Sequence, residues 1–186
     1  MPLGEGRSVG KDLPALGGRS RQRVGHDRQH DRPGASAQRR RSKKDGGDEA
    51  IGRSRGGLST KIHATVEALG NPTGFALSPG QAHDLEGADA LLPGLEADIL
   101  IADKAFDAEA RVLAPLEQAG KTAVIPPKTN RRNQRPYDKD LYQARHLIEN
   151  FFAKLKQFRA IATRYDKCAT NFLAAIYLAA SIIWLN

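Results

Sequence analysis

The chain has little of what staples a fold or carries it across a membrane. Its 186 residues include one cysteine, one methionine and one tryptophan, and aromatic residues make up only 6%. A lone Cys168 cannot form an internal disulfide, so nothing ties the fold to an oxidising compartment. Its sulfur reads as a small buried apolar group rather than a nucleophile. The histidines are scattered, and no Cys/His spacing resembles a zinc site. Residues 1–20 contain no apolar stretch of the kind that opens a signal peptide. The one long apolar run, Phe172 to Leu185, is short for a bilayer span and reads as a buried core helix. The expectation is a cytoplasmic protein with no membrane partner. Acid is outnumbered: 21 Asp and Glu stand against 29 Lys and Arg, a net charge of +8. Such an excess favours a polyanionic partner. The length leaves room for about one domain.

Two unlike halves follow. Residues 1–44 are rich in Arg, Gly, Gln and Ser, lack periodicity, and read as a disordered basic region. From about residue 45 the chain reads as globular. LSTKIHATVEAL sets Ile62, Ala64 and Val66 against Lys61, His63 and Thr65, the alternation of a strand. GNP at 70–72 is a turn, and TGFALS completes a hairpin. QAHDLEGADALL is helical up to Pro93, and ILIA ends a short buried strand at Asp103. A helix from about Asp107, which reads as its N-cap, closes at Gly120. KTAVI is another strand, KTNRRNQRPYDKD a basic loop, and two helices finish the chain. The alternation of strands and helices predicts a mixed α/β fold.

Chemistry concentrates in YQARHLIENFFAKLK. At about 100° per residue, Tyr142, Arg145, Glu149 and Lys156 fall within an arc of about 60° on one helix face. Leu147, Ile148, Phe151, Leu155 and Phe158 occupy the opposing arc. A charged outer face is ordinarily just solvated, and Arg145 with Glu149 is an ordinary i,i+4 pair. Asp103 changes that weighting. It stands at the C-terminal end of a strand, where side chains of an α/β sheet meet the ligand crevice.

A strand-end acid, a basic loop and a helix-borne Glu flanked by cations resemble the bacterial insertion-sequence DDE transposases, in particular the IS-five group. The residues carrying the resemblance are GRSRGGLSTKIHA (52–64), ADKAFDA (102–108), the Tyr142–Arg145–Glu149–Lys156 string and FRAIATRYDK (158–167). The resemblance implies a ribonuclease-H-like fold over residues 45–186 and metal-dependent cleavage and strand transfer of double-stranded DNA at element ends and target. Asp103 and Glu149 would be the second and third catalytic acids and would ligate Mg²⁺ or Mn²⁺. Arg145, Lys156, Tyr142, Arg131, Arg132, Arg159, Arg164 and Lys61 would contact DNA. The family also leaves room for a homo-oligomer, and DNA binding would place the protein at the nucleoid.

The first acid of that family lies on the first strand of its sheet. Here the corresponding stretch reads VGHDRQHDRPGASAQRR, and neither Asp27 nor Asp31 has an apolar run around it. Permitted codons for residues 26–30, moved by one base, read Met-Ile-Asp-Ser, a family-like first-acid strand. The sequence therefore predicts a chain out of frame over about residues 13–41, without its first strand, and with little or no activity. The rival reading is a non-catalytic DNA-binding fragment that interferes with intact transposase. A small RNA-binding protein ranks last, since no aromatic-rich strand for base stacking is present.

Overall fold

The computed structural model describes residues 15–16, 20–23, 50–54 and 57–185. Seven strand segments form one sheet: β1 (Ala15–Leu16), β2 (Ser20–Arg23), β3 (Gly52–Ser54), β4 (Gly57–Val66), β5 (Pro72–Pro79), β6 (Ile99–Ala102) and β7 (Thr122–Val124). The helices are α1 (Leu85–Leu91), α2 (Ala114–Gln118), α3 (Lys139–Tyr142), α4 (His146–Leu155), α5 (Arg159–Ala162) and α6 (Ala169–Leu185). The mixed α/β class is as expected, and the topology is consistent with a ribonuclease-H-like sheet.

β4 organises the sheet. One of its edges pairs antiparallel with β5, from Thr60↔Pro79 to Val66↔Pro72. The tight turn between them needs Gly70 at φ +86°, a conformation glycine takes without a Cβ penalty. The other edge of β4 pairs antiparallel with β1 (Ala15↔Val66) and β2 (Ser20↔Ile62), and the register slips by one residue between the two. β1 runs parallel to β6 (Leu16↔Ala102), and β6 runs parallel to β7.

The expectation that the first strand is missing finds no support in these pairings. The two-residue β1 lies between β4 and β6, and β2 pairs with β4 alone. A ladder is made by main-chain N–H and C=O groups, so a stretch poor in apolar side chains can still pair. Neither segment contains Asp or Glu. The rest of residues 1–44, with Asp27 and Asp31, lies outside the described residues.

Helices cover both faces. Ile62, Ala64, Val66 and Ile101 pack under α4 and α6 through Ile148, Phe151, Leu155, Phe172 and Ile176. On the opposite face Leu100 and Ala102 pack with Leu85 and Ala88 of α1 and with Phe106, Val112 and Leu116. The polar side of β4 is therefore buried too: Lys61, His63 and Thr65 lie under α1 rather than in water. α6 departs from the core-helix reading. Phe172, Ile176, Ala179 and Ala180 are buried, but Leu178, Trp184 and Leu185 are exposed. No helix among the described residues is long and apolar enough to cross a membrane.

Candidate active site and nucleic-acid surface

Asp103 follows β6 directly, as its position after the ILIA run predicts. Its carboxylate accepts a hydrogen bond from the Lys104 N–H at 2.7 Å and starts a single 3-10 turn over Lys104–Phe106. The expected division of labour with Asp107 is thus reversed. Asp103 caps, whereas the next helical turn, Glu109–Leu113, starts from Ala108 with no side-chain cap. Asp107 is buried, and its Oδ2 accepts from the Lys128 N–H at 2.8 Å.

The Tyr142–Lys156 string is helical but in pieces. α3 ends at Tyr142, a 3-10 turn spans Gln143–Arg145, and α4 carries Glu149. Asp138 starts this run by accepting from the N–H groups of Asp140 and Leu141 at 2.9 Å each. α4 buries Ile148, Phe151, Phe152 and Leu155, an apolar stripe that forces Glu149 outward. The turn at 143–145 packs against β1 and β6, which sets the string beside the strand end.

The side chains there form one chain of contacts. Arg145 Nη2 donates to Glu149 Oε1 at 2.6 Å, and its guanidinium lies 6.0 Å from the Tyr142 ring centroid. Tyr142 meets Tyr137 edge-on at 5.5 Å. Burial raises the Tyr142 phenol above its usual range, and the negative charge of Asp103 pushes the same way against Arg145. The packing of the 143–145 turn against β6 brings the strand-end acid and the start of the helix string into one neighbourhood. Lys156 caps α4 and is exposed, as is Arg159 at the start of α5.

The remaining cations divide. Arg132 is exposed in the basic loop. Arg131 is turned inward, paired with Glu109 and 3.5 Å from Asp107 Oδ2. Lys61 and Arg164, both expected to contact DNA, are buried. Lys61 is buried, 2.8 Å from Asp84 Oδ1, and donates to the Ala82 carbonyl. Arg164 is buried at φ +45°, donates to the carbonyls of Ala50, Asp166 and Lys167, and lies 4.8 Å from the Phe172 ring centroid. A phosphate could engage either only by breaking the fold around it.

The sequence reading missed the polar pairs behind Asp103. His63 Nε2 stands 2.8 Å from Ser78 Oγ, and Lys61, His63, Asp84 and Asp103 line one small cavity with Ala105 and Phe106. One signal was present. Leu85 and Ala88 give α1 an apolar side, and the sheet face beside the hairpin is the place for it to pack.

A family model described as "Transposase DDE domain" matches residues 22–184. The chain belongs to this family. A curated relative from Brucella ovis, "Putative transposase for insertion sequence element IS6501", is 39% identical over 130 residues, which cover 69% of this chain and all of the relative. No solved structure matches the chain. Transposase DDE domains generally use a divalent metal. Asp103 and Glu149 offer the hard oxygen donors that such an ion takes. The fit is incomplete. Asp103 is engaged with Lys104, Glu149 is held by Arg145, and among the described residues no group of three or more His, Cys, Asp or Glu could hold a metal.

Proposed function

We propose that this transposase-family chain binds the DNA of an insertion element of the IS-five group through the Tyr142–Lys156 face, with Asp103 and Glu149 as the second and third acids of a Mg²⁺- or Mn²⁺-dependent strand-cleavage and strand-transfer site. The observation that carries the reading is the packing of the Gln143–Arg145 turn against β6, whose end bears Asp103, with Arg145 holding Glu149. Arg145 neutralises phosphate there and Lys156 does so at the far end of α4, and the planar guanidinium of Arg145 can exchange the Glu149 carboxylate for a phosphate oxygen pair. Tyr142, half-buried against Tyr137, supplies a neutral phenol to the same surface.

The copy is incomplete in this reading. Two acids without a third donor bind a metal weakly and leave the attacking oxygen unpositioned. Residues of about 13–41 are out of frame with the family's first-acid strand, which the gene's nucleotide sequence checks directly. Cleavage of duplexes carrying the element's own ends, with Mg²⁺ or Mn²⁺, should stay near background. Robust cleavage abolished by Glu149→Ala would overturn the inactive reading. The second reading, a DNA-binding fragment that competes with intact transposase, is favoured by the absence of a three-donor cluster among the described residues. Salt-sensitive binding to the ends without cleavage would support it.

A further inference from the structure

The basic loop between β7 and α3 is fastened to one buried carboxylate. The Asp107 side chain is 1% exposed. Its Oδ2 accepts from the Lys128 N–H at 2.8 Å and lies 3.5 Å from Arg131 Nε. Its Oδ1 accepts no hydrogen bond among the described residues and faces Arg135 Nη2 at 3.9 Å. Arg135 also donates to the Ile125 carbonyl at 3.3 Å, and Arg131 pairs with Glu109. Gln134 closes the loop on itself by donating to the carbonyls of Lys128 and Arg131, each at 3.1 Å.

A carboxylate removed from water must be compensated by charge and hydrogen bonds. The nearby compensating charges are two arginines of one loop, and they are only partly engaged. Arg131 and Arg135 are thereby turned inward, while Arg132, beside them in sequence, is exposed. We infer that Asp107 is a positioning residue for DNA: it holds Arg131 and Arg135 as anchors of the loop and leaves Arg132 as the cation this loop offers to a phosphate. The inference rests on the DNA-binding reading above, and it separates arginines that composition treats as equivalent.

The experiment uses the full chain and a labelled duplex of arbitrary sequence, with affinity measured against salt. Arg132→Ala should flatten the slope of log K against log salt by about 0.9, the value for one lost phosphate contact, and leave tryptic cleavage of the loop unchanged. Arg131→Ala should leave the slope unchanged. Asp107→Asn keeps the shape of the side chain but removes its charge. It should speed tryptic cleavage after Lys128 and Arg132, and steepen the slope by up to about 1.8 as the two freed arginines turn outward. An Arg131→Ala slope change equal to that of Arg132→Ala would overturn the assignment. So would a loop in Asp107→Asn as resistant to trypsin as in the unmodified chain. Salt-insensitive binding by the unmodified chain would sink the DNA reading instead, and the trypsin comparison, which needs no DNA, tells the two failures apart.

Discussion

His63 sits where a neutral ring is favoured. Burial lowers its pKa below the ordinary value, against the opposing pull of Asp84, and Lys61 lowers it further. α1 presses directly on the ring: a Cβ built on Gly87 would come 2.2 Å from His63 Cγ, so only glycine fits there without a shift. The unfolded chain then takes up a proton on this ring at higher pH than the folded chain does. Its contribution to stability is full above about pH 6.5, the unfolded value, and is lost as pH falls through the lower folded value. The thermal midpoint should therefore fall on acidification below about pH 6.5, and His63→Gln, which can still hydrogen-bond but does not titrate, should flatten that fall. Equal slopes for the two proteins would refute the assignment. The same residue scale explains why the burial of Lys61 and Arg164 was not legible. Their charge is visible in the sequence but their partners are not. Asp84 lies 23 residues from Lys61, and the Ala50 carbonyl lies 114 residues from Arg164.

At the scale of elements, α4 separates packing from chemistry. Phe151 lies 5.6 Å from both Phe75 and Phe152, ring to ring, and is 2% exposed. Glu149 is 57% exposed and its pair with Arg145 is an i,i+4 surface pair. Phe151→Ala should cost about 3–5 kcal/mol of unfolding free energy, and Glu149→Gln about 0.5 kcal/mol or less, both read from urea denaturation. A Glu149→Gln loss as large as the Phe151→Ala loss would mean that the carboxylate holds the fold rather than serving a site. The division was legible because a helical apolar stripe repeats within a few residues, and the β4–β5 hairpin was legible for the same local reason. β1 and β2 were not. Their pairing depends on the backbone of β4 and β6, more than 30 residues away in sequence at the nearest partner, and their side chains carry no apolar alternation. α6 was half legible: hydrophobicity announced a helix, but not which of its faces the sheet would leave uncovered.

At the scale of the whole molecule, the net charge of +8 favours a polyanionic partner without saying where it binds. The fold sharpens this, because a cation spent inside the protein releases no counterion from DNA. Arg132, Lys156 and Arg159 are exposed and Arg145 is partly so, whereas Lys61 and Arg164 are buried. The basic residues outside the described part add their own salt dependence, so the discriminating quantity is a difference between variants. Replacing Arg132, Arg145, Lys156 and Arg159 together by Ala should flatten the slope of log K against log salt by about 3.6. Between about 50 and 200 mM salt, that variant should lose about 150-fold less affinity than the unmodified chain. Lys61→Met and Arg164→Ala, measured below their own melting temperatures, should leave the slope where it was while lowering stability. Were those two substitutions to flatten the slope by about 0.9 each, the buried cations would have to leave the core on binding DNA. The interaction would then be coupled to opening of the fold around β4 and α6, and not made on a surface already in place.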